Sequence, residues 1–391
     1  MKRQKETRYS IQPVTQSTKA SKRHAPHLLI FLLCILCILA LAHFIAIYQI
    51  STPVRVSAIQ IKNCTSLIHN TDYTKIVPLS IKTQQMEAIQ FVDAVTGGQP
   101  AALIQVNSMG PQQKLDAYIY GCRQMSHQQA PTLTQLFKQQ GIINGIINIT
   151  QMHTLSIEQT DSTLLSDKDT LLQPLQQNVF QEYSWRNNAL SQISFPGLYP
   201  VTSRSEAEAL QDDANNGQVL PWTDPLATAT QLARDLFQWP VKLIHGVLRD
   251  TSGTEAHVIL EEKGKNIQIA VSLNRLIQSN GKGLWWVTSA QTPGISLDQT
   301  RFSRPLTSPI TIQGTINPTQ GKITMTLFNH TLAPIQLTNN PDLHADQNGQ
   351  FSGTLSYTNI FPNQPGLLLV TAYPKDPQAE RYLFLTNILL Q

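Results

Sequence analysis

Residues Leu28 to Ile50 read LLIFLLCILCILALAHFIAIYQI, and this stretch decides how the rest of the chain is organised. From Leu28 to Ile47 only His43 interrupts the apolar run. At about 1.5 Å of rise per residue, a helix of that length spans roughly 30 Å, the thickness of a bilayer's hydrocarbon core. The reading is a single membrane-spanning helix over 28–50. The run exceeds the roughly 7–15 apolar residues of a signal-peptide core, and Tyr48, Gln49 and Ile50 are poor neighbours for a cleavage site. Cys34 and Cys37 are each preceded by Leu, which disfavours a lipid-modified cysteine and leaves them as small hydrophobes. His43 lies toward the outer end, where its polar tip reaches the interface.

The charge divides unequally across this run. Residues 1–27 carry seven basic side chains and one acidic one, which predicts a cytoplasmic N-terminus. The remaining residues hold 22 basic and 24 acidic side chains, a net charge of −2. The basic character belongs to the tail, so the large part lacks the electrostatic footprint of a nucleic-acid-binding surface. A tail of 27 residues is also too short for a folded cytoplasmic output domain, which weakens a sensor reading. The expected partner is the membrane itself, through residues 28–50.

Beyond the run stand two cysteines, Cys64 and Cys122. In an exported domain they form either one disulfide or two unpaired thiols. Residues 51–85 read as a stalk with one strand over Val54–Ile61. Residues 86–220 read as an α+β domain of unassigned kind. In it Ala101–Val106 and Leu115–Tyr120 are strand-like, the second by strict alternation. Pro131–Gln140 reads as a short helix, with Leu133, Leu136 and Phe137 on one face and Gly141 as its cap. Leu171–Tyr183 is a further helical candidate. Ser205 with Glu208 reads as a capping box.

Residues 221–300 read as a helix on an antiparallel sheet. Asp224 is the expected N-cap, Pro225 the first helical residue, and Leu226, Ala229, Leu232, Ala233 and Leu236 the apolar face. Strands are expected over Glu255–Leu260, Ile267–Leu273 and Gly283–Ala290. Residues 301–391 lack helical periods. Runs at Ile310–Ile316, Lys322–Phe328, Phe351–Thr358, Leu367–Tyr373 and Tyr382–Leu390 are separated by Pro, Gly and Asn, the pattern of a β-sandwich.

The last segment contains Ser308-Pro309-Ile310-Thr311-Ile312-Gln313-Gly314-Thr315, then Gly321-Lys322-Ile323-Thr324, Gly349-Gln350-Phe351 and Lys375-Asp376-Pro377. In this order they resemble the immunoglobulin-like domain associated with the bacterial spore-germination protein M domain, over about 302–391. Asp224-Pro225, Trp285-Trp286-Val287 and the linker Ala290–Leu297 resemble the unit often placed before that domain. The aromatic-acidic pair usual before the second strand is replaced by Asn317-Pro318-Thr319-Gln320. The resemblance implies a cell-envelope module and carries no catalytic residues.

Chemistry-bearing motifs are sparse. The histidines beyond the apolar run make no H-x-x-x-H or H-E-x-x-H pair. Asp342–Gly349 lacks the spacing of a calcium loop and reads as a polar hairpin. Neighbours Trp285 and Trp286 on one strand point to opposite faces. The outward one, with Trp239, is a candidate aromatic platform for glycan or protein. The expectation is a multidomain protein: a single N-terminal transmembrane helix, then α+β domains and a C-terminal immunoglobulin-like β-sandwich. It is read as a non-catalytic envelope module without cofactor or metal, contacting envelope proteins or cell-wall polymer and not nucleic acid. The alternative is an envelope hydrolase with its site in 86–210.

Overall fold

Among the described residues strands dominate, and their pairings are antiparallel with one exception. The computed structural model describes residues 58–391 except 81–82, 111–112, 124–130, 165–177, 303, 317–320, 340, 359 and 377–378, with side chains from Cys64 onward. The apolar run Leu28–Ile50 and the basic tail lie outside the described residues. Among the described residues no helix is long and apolar enough to cross a membrane. Residues Ile61 to Gln391 form one compact unit.

The first helix, α1 (Ala58–Asn70), takes residues 58–61 of the strand expected at Val54–Ile61, whose earlier residues lie outside the described ones. Cys64, Leu67 and Ile68 recur at helical spacing and line one side, so the weak alternation before them yields to helical packing. They pack with Tyr73 and Val77 on the first sheet, so this part of the expected stalk is folded against a domain.

That sheet has the order β1 (Gln84–Phe91), β2 (Ala101–Ser108), β3 (Lys114–Arg123), β4 (Thr132–Ile143). Strand β4 occupies the segment expected as a helix. Its register against β3 skips Leu136, since Ile119 pairs with Phe137 and Tyr120 with Gln135. The bulge sends the consecutive Leu136 and Phe137 to the same core and so imitates a helical period in the sequence. A second irregularity admits Gly141, at φ +72°, whose N–H donates to the buried Asp116.

The second sheet has the order β5 (Ile146–Ile149), β6 (Leu155–Thr160), β7 (Asn178–Arg186), β8 (Ala189–Ile193). Strand β7 takes the C-terminal part of the helical candidate Leu171–Tyr183, whose earlier residues lie outside the described ones. Leu155 and Ile157 face the first sheet and share its core with Val92, Leu103 and Ile119.

Two helices follow, α2 (Arg204–Asn215) and α3 (Pro225–Asp235). Asp224 caps α3 as expected, its carboxylate accepting the Ala227 N–H at 2.7 Å. The cap of α2 is Ser203, not Ser205, and its partner is Glu206. Both registers fit the S-x-x-E pattern, and the chain turns helical at the earlier one.

Helix α3 packs on β9 (Ile244–Thr251), β10 (Glu255–Glu262), β11 (Gln268–Asn274) and β12 (Trp286–Gln291). These strands do not end at residue 300. After β13 (Ile295–Leu297), β14 (Pro305–Leu306), β15 (Ile310–Ile316), β16 (Lys322–Phe328), β17 (Leu337–Asn339), β18 (Leu343–His344), β19 (Gln350–Tyr357) and β20 (Gln364–Tyr373), the last strand, β21 (Tyr382–Leu390), pairs with β12. One nine-stranded sheet results, ordered β18-β16-β20-β21-β12-β11-β10-β9, with β14 lying parallel to β21. A separate sheet, β13-β15-β19-β17, covers its C-terminal half.

The sequence of β20 explains the shared sheet. Leu367 and Leu369 enter the core beneath α3, whereas Leu368 and Val370 enter the core shared with β15 and β19. A strand buried on both faces reads as a continuous apolar run, and Leu367-Leu368-Leu369-Val370 is one.

Candidate functional site

The second sheet is unusual in having one apolar face and one buried polar face. Alternation sends Leu155 and Ile157 one way and Ser156 and Glu158 the other. Ser156 pairs in register with Glu182 of β7, and Glu158 with Phe180. Helix α2 and the loop before it cover this polar side. Ser156 and Ser205 hydroxyls meet at 2.6 Å. Arg204 donates to Glu182 Oε1 at 2.8 Å, and Thr154 donates to the same oxygen at 2.5 Å. Asn178 donates to Glu158 at 2.6 Å. Ser203 donates to Glu206 Oε2 at 2.6 Å while accepting the Glu206 N–H.

The loop 195–203 carries this network to the C-terminal part. Leu198 N–H donates to the Val287 carbonyl, and Val287 N–H to that of Tyr199, which fixes the loop along β12. The Thr202 hydroxyl donates to the His330 carbonyl at 3.4 Å. His330 Nε2 lies 3.0 Å from Asp161 Oδ2, with each side chain only 2 % exposed. The His330 N–H donates to Gln364 at 3.1 Å. Gln181 and Gln192, on the opposite face of the sheet, donate to the Asn363 carbonyl.

The electrostatics follow from burial. Desolvation pushes Glu206 up to about 7; the Ser203 hydrogen bond works against this, and the Glu158 charge adds to it. Burial works to raise Asp161 too, but the hydrogen bonds from His330 and Thr163 win and hold it below its ordinary value. Glu182 Oε2 and His330 Nδ1 are buried without a hydrogen-bond partner among the described residues. With Nε2 given to Asp161, the imidazole holds no hydroxyl among the described residues. No three His, Cys, Asp or Glu side chains among the described residues are placed to hold a metal ion. A recess of about 400 Å³ lies beside the pair, lined by Asp161, Thr163, Asn329, Ile335 and Gln364.

Cys64 and Cys122 are joined, Cα to Cα at 5.6 Å, tying α1 to β3. The bond hints at an extracytoplasmic setting. The three tryptophans of the candidate platform are buried: Trp239 is 6 % exposed, Trp285 2 % and Trp286 0 %. Trp239 and Trp285 enter the core beneath α3, and Trp286 enters a separate cluster with Phe195, Ala207 and Leu284. Neighbouring indoles on one strand do point apart, but both sides of β12 are covered, so neither forms an exposed aromatic face. Within the Asp342–Gly349 loop, Asp346 accepts the N–H groups of Asn348 and Gln350, while Asp342 pairs with Lys322.

Asp161, Glu182, Glu206 and His330 carry no local motif. The Ser203-x-x-Glu206 spacing could have marked one of them, but the register expected from the sequence is the later one, Ser205 with Glu208. Compared with family models, curated proteins and solved structures, the chain matches none.

Proposed function

We propose that this chain is a membrane-anchored protein of the bacterial cell envelope. In this reading residues 28–50 span the membrane, the N-terminus is cytoplasmic, and the later residues are extracytoplasmic. It works by binding or scaffolding, contacting envelope proteins or wall polymer. Residues 301–391 serve as an immunoglobulin-like module resembling the spore-germination domain, on a helix-and-sheet unit of the kind that often precedes it. The observation that carries the reading is the Cys64–Cys122 bond. It staples the helix that follows the apolar run to the first sheet, the attachment a tethered ectodomain needs, and it uses chemistry suited to an oxidising compartment. Two facing sheets with a common core supply the frame of the C-terminal module.

The test is topological and then biochemical. Protease added to intact protoplasts should remove a C-terminal tag and spare an N-terminal one, and deletion of residues 1–50 should release the protein from membranes. Retention of the deleted form in membranes, or protection of the C-terminal tag, would sink the reading. Crosslinking in whole cells should then recover envelope protein or wall fragments.

A second reading, a hydrolase with its site in 86–210, draws on Glu206, whose raised value suits a general acid. Its burial and its hydrogen bond to Ser203 count against it. Release of soluble wall fragments by the purified protein, abolished by Glu206→Gln, would favour the hydrolase.

A further inference from the structure

Two pairs of carboxylates stand where α2 meets the second sheet, Glu206 facing Glu158 and Glu208 facing Glu182. Glu158 comes from β6, Glu182 from β7, and Glu206 and Glu208 from the first turns of α2. The facing cation is Arg204, and it is committed to Glu182 at 2.8 Å while also acting on Glu208. Beyond Thr202 stands the Asp161–His330 pair, already closed on itself. Among the described residues these carboxylates outnumber the one cation named beside them, Arg204. Burial favours a proton on Glu206 as one counter-charge.

We propose that the seating of α2 on the second sheet is a proton-operated latch, closed while Glu206 carries its proton and loosened when Glu206 ionises. Glu206 is the member placed to do this. It is 7 % exposed and sits at the third position of α2, where Ser203 Oγ bridges its side chain and its own N–H. Ionised, it sets a second negative charge against Glu158, and among the described residues the nearby Arg204 is already paired with Glu182. Burying such a charge costs far more than burying the neutral acid.

The sign follows from linkage. Burial lifts the Glu206 carboxyl from the ordinary 4.5 to about 7, so the folded state holds the proton longer than the unfolded one. The latch is firmest below about pH 4.5, weakens as pH rises through about 7, and is flat above it. Because α2 continues from the loop that lies along β12 and reaches His330, loosening is felt at the junction with the C-terminal sheets. The latch is independent of what the protein binds.

Hydrogen exchange on the full chain in lipid nanodiscs tests it, comparing about pH 5 with about pH 8 after correction for intrinsic rates. Protection of residues 203–215 should fall by tenfold to a hundredfold, on the order expected for a displacement of this size. Glu206→Gln, which keeps the shape and cannot ionise, should hold its protection at both values. A wild-type ratio near one overturns the proposal without any variant, and so does an equal fall in Glu206→Gln. Where Glu206→Gln fails to fold, Glu158→Gln takes its place: a smaller ratio than wild type supports the latch, and an unchanged one overturns it.

Discussion

Asp161 Oδ2 and His330 Nε2 lie 3.0 Å apart with both side chains 2 % exposed, although 169 residues separate them in the chain. Asp161 follows β6 and His330 follows β16, so the contact ties the second sheet to the loop beyond the nine-stranded one. Removing one partner orphans a buried polar atom, His330 Nε2 or Asp161 Oδ2, while Asp161 Oδ1 keeps Thr163; such a loss costs about 1–3 kcal/mol. Asp161→Asn and His330→Leu should each lower the unfolding free energy measured with denaturant by that order, and the double variant should cost less than the sum. Additive losses would mean that the pair does not couple.

The same pair sets an acid limit. A carboxyl held below its ordinary 3.8 contributes stability that is present above that value and lost as pH falls through its folded value. Equilibrium unfolding followed below about pH 4 should therefore be steeper in wild type than in Asp161→Asn.

The Cys64–Cys122 bond closes a long loop, with a sequence separation of 58. On the chain-entropy account such a crosslink contributes about 4 kcal/mol by restricting the unfolded chain. Peptide mapping without reduction should recover the two cysteines as one linked peptide. Cys122→Ser should lower stability by that order and loosen α1 first, since the bond joins α1 to β3. Two free thiols in the isolated protein would remove both expectations.

What the sequence disclosed depended on how local the cause was. The Asp224-Pro225 start of α3 and the C-terminal strands are written in neighbouring residues, and they stand where pattern places them. Strand β4 was hidden because a bulge at Leu136 turns alternation into an apparent helical period, and only pairing with β3 resolves it. The same holds for the polar network. Glu182 and Ser156 look like solvated strand positions until α2 covers them, and nothing near His330 points to Asp161. The tryptophans failed as a platform for the converse reason, since a strand buried on both faces offers no outward side.

The position of the α2 cap can be checked against the alternative. Ser203→Ala removes the N-cap acceptor, a loss of about 0.5–2 kcal/mol, and also removes the donor to the buried Glu206. It should therefore cost more than Asp224→Ala, whose cap on α3 is exposed and has one role. Ser205→Ala should forfeit only its bond to Ser156, about 1 kcal/mol. Thermal unfolding of the three variants side by side gives the order, and a larger loss at Ser205 than at Ser203 would return the cap to the later register.

Trp286 offers the sharpest packing test. Its ring is 0 % exposed among Phe195, Ala207 and Leu284, and its Nε1 has no hydrogen-bond partner among the described residues. Truncation to Ala opens a cavity beneath α2 and should cost about 3–5 kcal/mol. Trp286→Phe removes the unpaired N–H along with part of the ring, so one loss offsets the other. Its cost should fall well below that of Ala, near the roughly 1.5 kcal/mol typical of apolar exchanges that keep most of the volume. Iodide should quench Trp239, Trp285 and Trp286 poorly in the native protein, because all three are shielded. If Trp286→Phe proves as damaging as Trp286→Ala, the indole N–H has a partner in solution, and the packing of α2 over Trp286 would have to include it.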